Sequence, residues 1–249
     1  MIASLPMYDW PELVSSTDVL WDEIAGRSRE SGINAPEKLT RTNDDEAHWL
    51  APNLLLGQTC GYPFSTKLNG KVAYLATPEY AVEGCDGANY SSAIITHKSS
   101  DISLDTMSGK RFTFNSTSSL SGYRCVRAMV GELNGYFKEM LVSGGHRRSA
   151  RMVASGAADV AALDAVCWHM LQNFEPDSAA NLKVIGWTKS YPALPFITSL
   201  ETDSETVSIL RQTLHDVFSS QKEETGFQQL AIRGCKVLDI AEYSQLAYL

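Results

Sequence analysis

The chain is short of positive charge. Its 249 residues include 21 Lys and Arg against 29 Asp and Glu, a net charge of −8. A general nucleic-acid binder needs a basic footprint, so no nucleic-acid partner is expected, and an anionic membrane surface would repel this balance. No apolar run approaches the ~18 residues that a membrane helix requires, so no direct membrane insertion is expected. No basic residue precedes Arg27, and the start of the chain therefore lacks the charged region that opens a secretory leader. As written the chain reads as soluble, and as either cytoplasmic or already trimmed. None of the five cysteines, Cys60, Cys85, Cys125, Cys167 and Cys235, makes a CxxC or other zinc-type spacing. The GxxxxGK phosphate loop is missing as well, and neither a metal nor a cofactor is expected. Low-complexity tracts, internal repeats and long linkers are absent.

What is present is ordinary globular material, with 44% hydrophobic and 20% charged residues. The length suits one large domain or two small ones and is enough to bury a sizeable core without staples. Short apolar runs alternate with amphipathic segments, the pattern of an α/β protein with mostly parallel sheets. Strands are expected over Met1 to Leu5, Leu54 to Leu56, Val72 to Ala76, Tyr90 to His97, Arg111 to Phe114, Met140 to Val142, Asp159 to Leu163, Leu182 to Trp187 and Phe196 to Ser199. Helices are expected after Ser15 and Ser16 as far as Gly32, from about Ser121 to Leu133, and over His146 to Ser155 and Ala165 to Leu171. Two more are expected from about Glu205 to Ser219 and in the last ten residues. The middle third carries a complete βαβαβ series, bounded by Tyr90-Ser91 and by Tyr191-Pro192-Ala193-Leu194-Pro195. The expected division is one discontinuous lobe of residues 1–91 plus 193–249 and a second lobe of residues 92–192. Ligands in such an arrangement bind where strands end.

The stretch Phe112-Thr113-Phe114-Asn115-Ser116-Thr117-Ser118-Ser119-Leu120-Ser121-Gly122-Tyr123 runs a strand into a hydroxyl-rich loop and straight into a helix. First-turn amides have no intrahelical acceptor, the helix dipole places partial positive charge there, and Ser118, Ser119 and Ser121 add O–H donors. Gly122 would let a ligand approach the backbone. Such a turn can hold a tetrahedral oxyanion without a lysine; the plainer reading is helix capping beside a loop. A second strand end, Ser143-Gly144-Gly145-His146, places His146 at a helix start on the same sheet edge, where it is either an anion donor or an exposed cap. Asp164 ends a buried strand and begins a helix. It is either an N-cap or a cleft acid that takes a ligand proton or orients His146. Cys60 and Cys85 each stand beside a glycine; one disulfide in an oxidising compartment and two independent thiols are both open readings.

The ordered set Tyr90-Ser91, Phe114-Asn115 through Ser121-Gly122-Tyr123, Gly144-Gly145-His146, and Ala158-Asp159-Val160-Ala161-Ala162-Leu163-Asp164 resembles the substrate-binding proteins of phosphonate and phosphite ABC transporters. The likeness runs from Leu54 to about Ile197 and more weakly to both ends. It implies a type 2 periplasmic-binding-protein fold, in which two α/β lobes with mixed, mostly parallel sheets are joined by two crossover strands and close on a ligand. It also implies that a Ser-Thr-Ser-Gly helix start grips the phosphonate oxygens. The matching positions here are Ser118, Ser119, Leu120 and Ser121, with Leu120 removing a donor. Tyr90 and His146 match the family's tyrosine and helix-start histidine. From the other lobe, Tyr8 and the Gln58-Thr59 turn match residues lining the cleft, and Asn115 belongs to the same gripping loop. Where relatives that bind aminoalkyl phosphonates carry acids, this chain has Val166 and Leu194, and an unpaired ammonium there is costly.

The leading expectation is non-catalytic capture of a small anionic solute, phosphate-, phosphite- or phosphonate-like and not aminoalkyl. Hinge closure shifts the population of states, and ABC transporter membrane subunits are the implied partners. Two alternatives stay open. One is a small-molecule enzyme of the same fold, similar to a pyrimidine-precursor synthase, with Cys60 or Cys125 as nucleophile and His146 as base. The other is a cytoplasmic metabolite sensor.

Overall fold

The computed structural model describes residues 1–41, 45–219 and 226–249. In chain order the elements are β1 (Ile2–Ser4), α1 (Val14–Glu30), α2 (Asp45–Trp49), β2 (Leu54–Gln58), α3 (Gly61–Ser65), β3 (Val72–Tyr80), β4 (Cys85–Asp86), β5 (Asn89–Tyr90), β6 (Ser92–His97) and β7 (Arg111–Phe114). A π-helical turn, Leu120–Arg124, continues directly into α4 (Cys125–Val130). There follow β8 (Glu139–Val142), α5 (His146–Ala154), β9 (Val160–Asp164), α6 (Ala165–Phe174), α7 (Pro176–Ala179), β10 (Leu182–Trp187), β11 (Tyr191–Pro192), β12 (Phe196–Ser199), α8 (Ser204–Ser219), β13 (Ile232–Lys236) and α9 (Ile240–Ser244).

The chain divides into two compact units. One comprises Met1–Ala81 with Pro192–Ala247, the other Val82–Tyr191 with Tyr248–Leu249. The short β4–β5 hairpin thus belongs to the second unit, where Cys85 pairs with Tyr90 and Asp86 with Asn89. Among the described residues, each unit is built on a five-stranded sheet, ordered β1-β2-β12-β3-β13 in the first and β10-β6-β9-β7-β8 in the second. Strands such as Leu54-Leu55-Leu56 and Val160-Ala161-Ala162-Leu163 are apolar throughout because helices cover them, and all seven of these residues are buried. In the first unit α8 lies against β3 and β13 and α1 against α8; in the second, α5 and α6 lie against β9 and β6.

The sheets are mixed, but parallel pairing is less prevalent than expected. β1 pairs parallel with β2, and β7 pairs parallel with both β8 and β9. β12 runs antiparallel to β2 and β3, β13 antiparallel to β3, and β6 antiparallel to β9 and β10. Of the antiparallel strands, β12 is the one that comes directly after the chain returns to the first unit at Pro192.

Several boundaries also differ from the sequence reading. Helix α1 begins at Val14 with no side-chain cap, because a tight turn over Pro11–Leu13 already leads into it. Ser15 and Ser16 therefore lie within the helix. β3 does not stop at Ala76 but continues to Tyr80, since β13, a strand not foreseen, pairs along its second half. The helix expected to reach Leu133 ends at Val130, where Gly131 takes φ +85°. Gln58 extends β2 by two residues beyond Leu56.

Gly84 shows how closely the second unit is packed at its hairpin. Its φ is +87°, and a Cβ built there would lie 2.4 Å from the Trp187 ring. Replacing Gly84 by Ala therefore combines left-handed strain with overpacking and should cost about 2–4 kcal/mol, read as a lowered urea midpoint of the whole chain. An unchanged midpoint would show that Trp187 yields freely.

Candidate functional site

Three parallel strands bring the chemistry to one sheet edge. Because β7 lies between β8 and β9 and runs parallel to both, their C-terminal ends emerge together. Phe114 leads into Asn115 and the serine loop, Val142 into Ser143-Gly144-Gly145-His146, and β9 ends on Asp164 itself. The first two turns are stitched by backbone bonds, from Ser143 N to the Phe114 carbonyl (2.8 Å) and from Gly144 N to the Asn115 carbonyl (3.1 Å). The Ser143 hydroxyl adds a third tie, 3.0 Å from the Phe114 carbonyl and 2.6 Å from the hydroxyl of Ser149, which lies in the second turn of α5. Ser143 and Ser149 were not singled out from the sequence; two hydroxyls flanking a Gly-Gly helix start were the available signal.

Ser119 is the N-cap of the helix that follows β7, and its hydroxyl accepts the Gly122 amide at 3.0 Å. Of the first-turn amides, that of Gly122 is thus occupied by the protein's own side chain, while those of Leu120, Ser121 and Tyr123 occupy positions without an intrahelical acceptor. Ser119 and Ser121 are both buried, with their hydroxyls 3.5 Å apart. Ser118 is exposed and turned back on the loop, its amide donating to the Ser116 hydroxyl at 3.1 Å. The helix start is therefore Ser119-Leu120-Ser121-Gly122, one residue later than the register expected from Ser118. The reason is geometric: the cap falls on Ser119, and the glycine that the motif ends on is Gly122. Leu120 is wholly buried.

His146 joins this turn from α5. Its Nε2 lies 2.8 Å from Ser121 Oγ, 3.5 Å from Asn115 Nδ2 and 3.3 Å from Asp164 Oδ2. Gly122 is what admits these neighbours. A Cβ on it would stand 2.0 Å from Asn115 Oδ1 and 3.3 Å from His146 Cε1, so the space beside this glycine is taken by protein side chains. Asn115 Oδ1 is buried and has no hydrogen-bond partner among the described residues. Asp164 caps α6 as the plainer reading held, its Oδ1 accepting the Cys167 amide at 2.7 Å, and its other oxygen faces His146. Asp164 thus caps α6 and also contacts His146.

Burial lowers the His146 pKa below its ordinary value; Asp164 and the Ala162 carbonyl oppose the shift without reversing it. The imidazole is thus neutral in the folded chain at neutral pH. Burial also pushes the Cys125 thiol up to about 11, and Cys125 Sγ lies 2.8 Å from the Ser121 carbonyl. Cys125 is held as a thiol, without the thiolate character that a nucleophile needs. Nor do Ser121, His146 and Asp164 form a nucleophilic triad, because serine and aspartate address the same ring nitrogen, whereas a triad places them on opposite ones.

The remaining candidates lie elsewhere. Tyr90, in the β4–β5 hairpin of the second unit, is buried. Tyr8, Gln58 and Thr59 belong to the first unit. The Gln58 side-chain amide donates to Tyr80 Oη (3.1 Å) and the Leu194 carbonyl (3.2 Å), and Tyr8 meets Tyr80 edge-on at 5.5 Å. Tyr8 and Gln58 line a cavity of about 20 Å³, room for about one water. The Thr59 hydroxyl is buried with no hydrogen-bond partner among the described residues, and its amide donates to the Pro195 carbonyl at 3.2 Å. Cys60 is half-buried at the start of α3 and Cys85 half-buried in β4. Among the described residues no group of three or more His, Cys, Asp or Glu could hold a metal ion, and no helix is long and apolar enough to cross a membrane.

A family model described as ABC transporter, phosphonate, periplasmic substrate-binding protein matches residues 57–243. The chain belongs to this phosphonate-binding family. Its members are substrate-binding components with a periplasmic precedent, and their partners are ABC transporters. No curated protein matches the chain. Among solved structures, PhnD1 from Prochlorococcus marinus, in complex with methylphosphonate, is 15% identical with a TM-score of 0.78, over 99% of this chain and 95% of that one. A binding protein component of an ABC phosphonate transporter from Pseudomonas aeruginosa is 18% identical with a TM-score of 0.76, over 98% and 82%. A Xanthomonas citri protein bound to ATP is 18% identical with a TM-score of 0.75, over 100% and 95%. These likenesses show the fold, that of the periplasmic binding proteins.

The lowered His146 pKa sets a direction for stability. A histidine whose pKa falls on folding binds more protons when unfolded, so stability is complete above its unfolded value, 6.5, and is lost as pH falls below it. His146→Gln should flatten the acid side of a melting-temperature profile between pH 7 and about 5. Parallel profiles for the two chains would mean that His146 titrates freely.

Proposed function

We propose that this phosphonate-family protein captures a small phosphorus oxyanion, phosphate-, phosphite- or phosphonate-like, at the end of β7, β8 and β9. Ser119 and Ser121 and the first-turn amides serve as donors, with His146 beside them. The single observation that carries this reading is the convergence of two buried serines and His146 on one helix start. Two structural neighbours support it, since one holds methylphosphonate and another ATP, both carrying phosphorus oxyanions. Val166 and Leu194, apolar and buried, offer nothing to an ammonium group, so aminoalkyl phosphonates fall outside the proposed range. Closure of the two units over the solute, with Tyr8, Thr59 and Tyr90 as further contacts and delivery to the membrane subunits of an ABC transporter, completes the proposal.

The test is a titration with phosphate, phosphite and methylphosphonate, read by calorimetry and thermal shift, since a ligand that binds the folded state raises the melting temperature. Replacing Ser119 and Ser121 together by Ala should weaken binding by about 1.5–3 kcal/mol for each charge-assisted hydrogen bond lost. Affinity unchanged by the double substitution would remove this helix start from the binding site.

A further inference from the structure

A cavity of about 440 Å³ lies wholly within the first unit, whereas the turns that end β7, β8 and β9 belong to the second. Its volume falls in the range of pockets that hold small organic ligands, about 300–1,000 Å³. Residues of α3, β3, α8 and α9 line it. Phe64, Tyr74 and Tyr243 make one aromatic wall, with ring centroids 4.9, 5.7 and 5.9 Å apart. Thr77 Oγ1 stands 2.7 Å from both tyrosine hydroxyls. These hydroxyls are satisfied inside the unit, and what the rings offer a ligand is apolar surface. Val207 and the exposed Ile240 add to it.

Two hydroxyls on the lining are already engaged, Ser65 with the Tyr62 carbonyl at 3.0 Å and Ser244 with the Ile240 carbonyl at 3.1 Å. Arg211 of α8 is different. Its Nε donates to the Leu75 carbonyl at 3.1 Å and its Nη2 to the Tyr74 carbonyl at 2.8 Å. Leu75 needs such a partner, because the register of β12 on β3 passes over it and β13 pairs with β3 only from Thr77 onward. That structural duty accounts for two of the three guanidinium nitrogens. Among the described residues, Nη1 makes no hydrogen bond and no carboxylate pairs with Arg211. A guanidinium stays charged. Half-buried on the lining of an apolar cavity and lacking a countercharge, it suits an anion whose body is apolar.

We propose that this cavity is a second ligand site, for a small monocarboxylate with an aromatic or branched apolar body. The carboxylate accepts from Arg211 Nη1, and the body lies against Phe64, Tyr74 and Tyr243. One guanidinium matches one negative charge. Among the described residues the lining has no array of amide and hydroxyl donors such as a tetrahedral dianion requires. The site thus differs in ligand class from the oxyanion receptor proposed above and does not depend on it.

Phenylacetate is the probe, and phenylacetamide is the control of the same shape without the charge. Titration of the whole chain, followed by ligand-observed NMR, should show saturable binding of phenylacetate. Phenylacetamide should bind about tenfold or more weakly, for want of the charge-assisted hydrogen bonds. Val207→Glu places a carboxylate one helical turn before Arg211, where the two can pair, and leaves the arginine's bonds to β3 in place. It should abolish phenylacetate binding and leave a methylphosphonate titration unchanged. The comparison of the two probes needs no variant. Failure of phenylacetate to saturate, equal binding of the two probes, or an unchanged phenylacetate affinity in Val207→Glu overturns this inference and leaves the capture reading standing. Displacement of phenylacetate by methylphosphonate also overturns it, by placing both ligands in one site. Saturable phenylacetate binding in a chain that binds none of phosphate, phosphite and methylphosphonate upholds this inference and removes the capture reading.

Discussion

His146 Nε2 stands 2.8 Å from Ser121 Oγ and 3.3 Å from Asp164 Oδ2, and three strands must end at one edge for that to happen. Parallel pairing of β7 with both β8 and β9 ensures it. An antiparallel neighbour would have sent one of the three turns to the far edge. The sheet is mixed elsewhere, so this parallel core is the part of the topology on which the candidate site depends. The glycine at 122 is the local counterpart of that constraint, because with any side chain there Asn115 and His146 could not keep their positions.

Much of this was legible in the sequence because it is written locally. Strand, polar turn and helix start succeed one another within a few residues at each of the three turns, and β7, β10 and β12 have the limits expected from their apolar runs. Residues whose roles are set by distant partners were not legible. Gln58 reads as a polar residue at a strand end, yet its side-chain amide is engaged by Tyr80 and by Leu194 far along the chain. β13 was missed because Arg233, Gly234 and Lys236 break its apolar pattern, and its pairing with β3 supplies what the pattern lacks. The difference between Ser118 and Ser119 was invisible for another reason. In a run of hydroxyl residues, only the first hydrogen bond of the helix decides which one caps it and which faces solvent.

The duality of Asp164 follows from the same physics. An N-cap needs an oxygen near the first-turn amides, and a carboxylate has two oxygens. One is fixed to the Cys167 amide, which leaves the orientation of the other determined, toward His146. Serine or threonine would cap as well but would place no charge beside the histidine. The acid is therefore more than the cap requires.

A net charge of −8 does not oppose an anion receptor of this design. Charges spread over the surface are screened within about 10 Å at ordinary ionic strength, whereas aligned amides and hydroxyls act at hydrogen-bond distance in a site with little water. Arg147 and Arg151 both contact Glu175, and Arg124 donates to the Thr117 carbonyl. In the proposed site, what distinguishes one oxyanion from another is then the fit of its oxygens to donors that three strand ends and a helix start hold in place.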